Sequence, residues 1–289
     1  MTTSIDATAA GTWQLGDLTV NRMGFGAMRL MQNADGSPSD RERVTTVLRR
    51  AVELGVDHID TAAFYFSATR SANELINSAL APYPDGLVIT TKVGPGRDPA
   101  GDWLHVHTKK ELRGQVEENI RQLGRDHLDV VNLRIGQALD RGEGSLAEPF
   151  TALAELQQEG LVRHLGISNV HAGHLEEALG IAQVVCVQNQ YGLSVRREDD
   201  ELVALCAEHG IAFVPFFAIA GGTEQAAVSE IAEARGVSAA QVRLAWTLHR
   251  GPNVLAIPGT GDPAHLEENI AAAGLRLTDD ELTRLDTIG

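Results

Sequence analysis

Cysteine is scarce in this chain of 289 residues: there are two, Cys186 and Cys206. Two thiols in separate apolar segments make no disulfide framework. They read as buried free thiols and suit a reducing compartment, so a cytoplasmic location is expected. No run of about 18 apolar residues occurs, so no membrane span is expected. Met1 to Ala10 lacks the basic stretch and apolar core of a secretory leader. Positive charge is also short. Lys and Arg number 24 against 39 Asp and Glu, a formal net charge of −15. Binding to nucleic acid or anionic lipid needs a basic footprint, so neither is an expected partner. An anionic cofactor would have to be held by local donors. His105-x-His107 and His171-x-x-His174 lack a third ligand at matching spacing, so no metal is expected. No linker, low-complexity run or second domain is visible, and one domain over residues 1–289 is expected.

What is present is alternation. Apolar strand-like runs centre near Gly24, Ile59, Ile89, Val131, Gly166, Cys186, Val214 and Ala256, with amphipathic stretches between them. Leu112, Val116, Ile120 and Leu123 recur at helical spacing and stop at Gly124, a natural residue just past a helix end. Ser39-x-x-Glu42, Ser71-x-x-Glu74, Thr108-x-x-Glu111, Ser145-x-x-Glu148, Ser238-x-x-Gln241 and Thr278-x-x-Glu281 all have capping-box spacing. Asp262-Pro263 reads as a cap with proline at the first helical position. Thr12 to Val20 reads as a hairpin turning at Gly16-Asp17. The pair Glu224–Arg235 and Ser238–His249 is one helix more than a minimal repeat, and Asp279 to Ile288 reads as a last helix. Buried strands alternating with helices predict a parallel sheet closed into a (β/α)8 TIM barrel, for which roughly 250 residues suffice. An open doubly wound sheet would carry Gly-x-Gly-x-x-Gly after its first strand. The run Gly24-Phe25-Gly26-Ala27-Met28-Arg29 fails at the third glycine.

In such a barrel, chemistry sits at the carboxyl ends of the strands. Those ends carry Asp60 and Tyr65, Lys92, Arg134, Ser168-Asn169, Gln188-Asn189-Gln190-Tyr191, Pro215-Phe216-Phe217 and Ile257-Pro258-Gly259-Thr260. A carboxylate, a phenol and an ammonium gathered there suggest a proton donor to a carbonyl oxygen. The cation is expected to lower the phenol's pKa, and the carboxylate to keep the lysine charged and oriented. Each residue also has a bland reading. Asp60 and Lys92 could be a structural ion pair. Arg134 could pair with Asp129 or Asp140. Ser168-Asn169 could be a helix cap, Gln188 and Asn189 could satisfy backbone groups, and Phe216 with Phe217 could be core. The Ala220-Gly221-Gly222 turn would also permit a phosphate-binding isomerase or lyase.

Asp60-Thr61-Ala62-x-x-Tyr65, Thr91-Lys92, Gly166-Ile167-Ser168-Asn169, Val187-Gln188-Asn189-Gln190-Tyr191 and Ile257-Pro258-Gly259 with Glu268-Asn269 behind it resemble the aldo-keto reductase family, in the family's order and over nearly the whole chain. The resemblance implies a nicotinamide-dependent carbonyl reductase acting on a small aldehyde or ketone. Tyr65 would be the general acid, Lys92 its tuning cation and Asp60 the partner of Lys92. Ser168, Asn169 and Gln188 would hold the nicotinamide carboxamide, with Phe216 stacked on the ring. Gly26, Ala27 and Met28 would meet the nicotinamide ribose. Ile257, Gly259 and Thr260 would lie along the phosphates, with Glu268 and Asn269 at the adenine. The segment Gly94 to His107, with Trp103, would be a substrate loop.

Two positions depart from the family. Its usual histidine after strand four is Arg134, in the run Leu128-Asp129-Val130-Val131-Asn132-Leu133-Arg134. Arginine cannot relay a proton but can stabilise developing negative charge. A family branch with bacterial pyridoxal reductases has a similar Asn-Leu-Arg run, which makes pyridoxal a candidate substrate. The usual lysine and arginine after strand eight are Gly259 and His265. Thr260, His265 and the amides opening the next helix could replace them. NADPH is the cofactor the resemblance implies, with NADH open. An NADP(H)-binding redox sensor or regulatory subunit is the other reading.

Overall fold

Val88–Val93 is buried at all six positions, because one of its faces meets helices and the other the barrel interior. Ile89 and Val93 join the apolar layer under the helices. Val88 points to a second, interior cluster with Val130, Cys186, Ala212, Val214 and Leu255. This period of two carries Lys92 to the interior side. The computed structural model describes residues 5–33, 35–67, 69–97, 102–105, 108–136, 139, 141–195, 197–219 and 225–288.

The barrel strands are β1 (Phe25–Gly26), β2 (His58–Asp60), β3 (Val88–Val93), β4 (Leu128–Arg134), β5 (Val162–Ser168), β6 (Val184–Gln188) and β7 (Ala212–Phe213). They form one sheet in the order β7-β6-β5-β4-β3-β2-β1, with every pairing parallel. Residues 254–256 supply the eighth stave. Val254 bridges Phe213 and Ala256 bridges Met23, both in parallel. Leu255 N donates to Phe213 O at 3.0 Å and Gly24 N to Ala256 O at 2.8 Å. The ring is thereby closed, as a (β/α)8 barrel requires.

The helices are α1 (Arg41–Glu53), α2 (Ala72–Leu80), α3 (Lys109–Leu123), α4 (Ala147–Gln158), α5 (Ala172–Leu179), α6 (Asp200–Glu208), α7 (Ala226–Arg235), α8 (Ala239–His249), α9 (Pro263–Ala271) and α10 (Asp279–Asp286). Both α7 and α8 fall between β7 and the eighth stave. Helix α7 opens at Gln225, and Glu224 lies outside the described residues. Helix α3 buries Leu112, Val116 and Leu123 and ends on Gly124 in the left-handed region at φ +64°. No helix among the described residues is long and apolar enough to cross a membrane.

Three of the six expected capping boxes form, at Thr108, Ser238 and Thr278. The other three do not, because each serine finds a different partner. Ser39 donates to the Leu30 carbonyl while Asp40 caps α1. Ser71 binds Gln122. Ser145 binds Glu177, and α4 starts from Leu146.

The strands Thr12–Leu15 and Leu18–Asn21 pair antiparallel as the expected hairpin. Leu15 and Val20 pack into the interior cluster. Asp17 in the turn pairs with Arg163 and His164, at the start of β5. The hairpin therefore plugs the amino end of the barrel and leaves the carboxyl end open. Cys186 and Cys206 are buried free thiols, and burial pushes Cys186 up to about 12.

Candidate active site

The sheet register sets the polar residues in successive rows at the carboxyl ends of the strands, Asp60 pairing with Thr90 two residues before Lys92. Gly26 pairs with Asp60, Lys92 with Asn132, Arg134 with Ser168 and Ser168 with Gln188. A cleft of about 980 Å³ opens at this end of the barrel. Its walls include Gly26, Met28, Asp60, Tyr65, Lys92, Arg134, Phe216, Ile257 and Gly259. Of the remaining expected residues, Ala27, Ser168, Asn169 and Gln188 are buried behind this wall. Thr260, His265, Glu268 and Asn269 are on or beside α9, with His265 and Glu268 exposed.

Lys92 is fully buried. Its Nζ donates to Asp60 Oδ1 at 2.5 Å and to the Thr61 carbonyl at 2.8 Å. The same nitrogen lies 4.9 Å from the centroid of the Tyr65 ring. Burial pulls the lysine pKa down, but the Asp60 carboxylate leads the influences that carry the net shift upward, so the group stays an ammonium. Backbone bonds fix Tyr65 at both sides: its N–H donates to Ala62 O at 3.1 Å, and its carbonyl accepts from Ala72 N at 2.9 Å. Lys92 does pull the tyrosine pKa down as expected, but the net shift is upward. Burial raises it, and the downward pull of Lys92 and Arg134 does not cancel that. The phenol therefore holds its proton at neutral pH, the state a donor needs.

Arg134 is buried, with Cζ 5.0 Å from the centre of the Phe216 ring. Asp129 is taken by Arg125 at 3.2 Å and by the Ile89 amide at 2.8 Å. It is therefore not the partner of Arg134, and Asp140 lies outside the described residues. Phe216 and Phe217 are half-buried and line the cleft, so they are not core. Phe217 holds φ +60° and Asn169 φ +65°, a region costly for bulky side chains and typical of constrained sites.

Gln188 Nε2 donates to Asp60 Oδ2 at 2.8 Å. Neither Ser168 nor Asn169 caps α5, whose N-cap is His171. Asn169 Nδ2 donates to the Ile135 carbonyl at 3.0 Å. Asn189 does satisfy backbone, exchanging hydrogen bonds with the Val170 amide and carbonyl. Gly26 and Gly259 bring two backbones together. A Cβ on Gly26 would lie 2.6 Å from Ile257 O, and one on Gly259 2.3 Å from Gly26 O. The amides of Ala264 and His265 that open α9 are already accepted by the Asp262 carboxylate. They are thus not vacant for a phosphate as expected, and Arg43 reaches across to Asp262.

Sequence reasoning missed Arg29, Phe64 and Arg97, all in the cleft wall. The expected substrate loop after β3 contains a hairpin: Pro95–Arg97 pairs antiparallel with Trp103–His105. His107 lies outside the described residues, as does the Ala220-Gly221-Gly222 turn.

The sequence model of the aldo/keto reductase family matches residues 22–289. Pyridoxine 4-dehydrogenase of Escherichia coli (strain K12) is 46% identical over 285 residues, covering 97% of this chain and 99% of that protein. A thermostable aldo-keto reductase solved with the inhibitor epalrestat superposes with a TM-score of 0.81 at 29% identity, over 96% of this chain and 99% of the other. An aldo-keto reductase from Klebsiella pneumoniae solved in complex with NADPH gives 0.79 at 27% identity, over 93% and 91%.

Proposed function

This chain belongs to the aldo/keto reductase family, and from that premise we propose that it is an NADPH-dependent carbonyl reductase in which Tyr65 is the general acid. Pyridoxal is a candidate substrate, because the Escherichia coli relative is a pyridoxine 4-dehydrogenase and pyridoxal is the aldehyde that such a dehydrogenation forms. The observation that carries the reading is the trio of Asp60, Lys92 and Tyr65 at the floor of an open cleft.

The residues suit a dinucleotide. Ser168 Oγ and Gln188 Oε1 are buried and have no hydrogen-bond partner among the described residues, and a nicotinamide carboxamide has both a donor and an acceptor to offer. The side-chain-free contact of Gly26 with Gly259 lets a ligand approach backbone on that side. Arg29 lines the cleft there, its carbonyl 3.6 Å from where a Cβ on Gly261 would lie. When bound, the cofactor supplies hydride to the carbonyl carbon. Tyr65 gives its hydroxyl proton to the carbonyl oxygen. Lys92 stabilises the phenolate left behind, and Asp60 keeps Lys92 charged and in place. Arg134 places a fixed positive charge near the oxygen as negative charge develops there.

The test is NADPH consumption with pyridoxal and with simple aliphatic and aromatic aldehydes, run in parallel with NADH. Turnover of at least one carbonyl compound is expected, faster with NADPH. Tight cofactor binding with no turnover of any of them would instead indicate a sensor.

A further inference from the structure

We propose that Arg97 and Trp103 form the substrate-recognition element of this cleft, and that it selects aromatic aldehydes carrying an anionic substituent, a phosphate ester or a carboxylate. The proposal rests on the carbonyl-reductase reading above and assigns the class of substrate to it.

The chain is acidic, at −15, yet among the described residues its cleft is lined by Arg29, Arg97, Arg134 and Lys92 against one carboxylate, Asp60. Both oxygens of Asp60 are engaged, one by Lys92 and the other by Gln188. A concave site of one sign on a surface of the other attracts an anion. Arg29 lies beside Gly261, on the side given to the dinucleotide. Arg97 lies elsewhere, in the hairpin after β3.

That hairpin is anchored. The Gly94 amide donates to Gln115 Oε1 at 2.8 Å, and Gln115 Nε2 donates to the Pro95 carbonyl at 3.0 Å. Arg97 and Trp103 are direct cross-strand partners, so their side chains share a face. The guanidinium carbon lies 4.2 Å from the centre of the Trp103 ring. Stacking uses the flat face of a guanidinium and leaves its in-plane N–H groups for a carboxylate or phosphate. Trp103 packs edge-on against Phe64 at 5.5 Å, and Phe64 against Tyr65 at 5.4 Å. An aromatic wall thus runs from the proton donor to the cation. It fits a flat ring whose aldehyde meets Tyr65 and whose charged substituent meets Arg97.

Two matched pairs test this: 4-carboxybenzaldehyde against benzaldehyde, and pyridoxal 5′-phosphate against pyridoxal. KM is measured for the parent, Arg97→Gln and Arg97→Lys, with the NADPH Kd from fluorescence quenching. The parent should favour the anionic member of at least one pair by about tenfold, the scale of one screened charge-assisted hydrogen bond. The pair that shows the preference identifies the anion. Arg97→Gln should erase the preference, raising KM for the anionic member of a pair about tenfold more than for its neutral counterpart while NADPH Kd is unmoved, and Arg97→Lys should restore part of it. Equal loss on both members of each pair, or weakened NADPH binding in Arg97→Gln, would overturn the assignment. Parent turnover of the neutral aldehydes with no anionic preference would sink this inference alone. No turnover of any of the four would remove the carbonyl-reductase reading and this one with it.

Discussion

Gln188 Nε2 donates to Asp60 Oδ2 at 2.8 Å, on the oxygen that Lys92 leaves unused. The carboxylate is therefore divided between a cation from β3 and an amide from β6, and it ties opposite parts of the barrel mouth together. Breaking a buried ion pair on one side leaves an uncompensated charge. Asp60→Asn should destabilise the fold by about 3–5 kcal/mol, read from urea unfolding. It should also move the alkaline limb of kcat/KM to lower pH. The carboxylate charge is the leading upward influence on Lys92, and without it burial lets the ammonium lose its proton sooner. Parent-like stability with an unmoved limb would show that the pair serves neither purpose.

Tyr65→Phe removes the proton and leaves the ring. Turnover should fall by about two to four orders of magnitude, the usual span of general acid catalysis, while NADPH affinity stays near the parent's. Lys92→Met should also lose nearly all turnover, since the phenol would then be buried with no ammonium beside it. Stopped-flow reduction with saturating cofactor separates the two from a binding defect. Near-parent rates in Tyr65→Phe would move the acid to another residue.

The sequence disclosed those properties that local pattern determines. The buried run around Ile89 and its end at Lys92 were visible in the residues, and Gly124 marked the end of α3. Strand-end position alone brought Asp60, Lys92 and Arg134 to one cleft. Other properties depend on neighbours distant in the chain. The hydroxyls of Ser39, Ser71 and Ser145 were claimed by Leu30, Gln122 and Glu177, and no local motif reveals such a rival. The direction of the Tyr65 shift is set first by burial, a property of packing. Arg97 meets Trp103 only because a short hairpin pairs them, and a three-residue strand leaves almost no periodic signal.

Arg134 gives the site a charge that does not titrate in the working range. The parent should show no inflection in kcat/KM from this position between about pH 5 and 8. Arg134→His should behave differently. At pH 7 a buried imidazole is mostly neutral, so the oxygen loses its nearby cation and the rate falls. As pH drops through the imidazole pKa, below about 6.5 after desolvation, the charge returns and the variant should recover relative to the parent. A ratio of variant to parent that is flat across this range would mean that position 134 does not act through charge.

His58 offers a test of stability independent of catalysis. It is buried on β2, two residues before Asp60, and neither ring nitrogen has a hydrogen-bond partner among the described residues. A Cβ on Gly24 would lie 2.2 Å from its ring, so the imidazole is closely packed. Burial lowers its pKa from 6.5 to about 4. Between these values the unfolded chain holds a proton on this residue and the folded chain does not. Stability therefore rises with pH across that window: the contribution is complete above about pH 6.5 and lost as pH falls towards about 4. A gap of this size amounts to about 3 kcal/mol, at 1.36 kcal/mol for each pH unit. His58→Asn shifts the baseline, because it leaves a small cavity and a different polar group. The informative quantity is the slope. Urea midpoints of the parent should fall more steeply between pH 6.5 and 4.5 than those of His58→Asn. The difference should vanish above pH 7. Parallel slopes would mean that His58 takes up its proton in the folded barrel as readily as in the open chain.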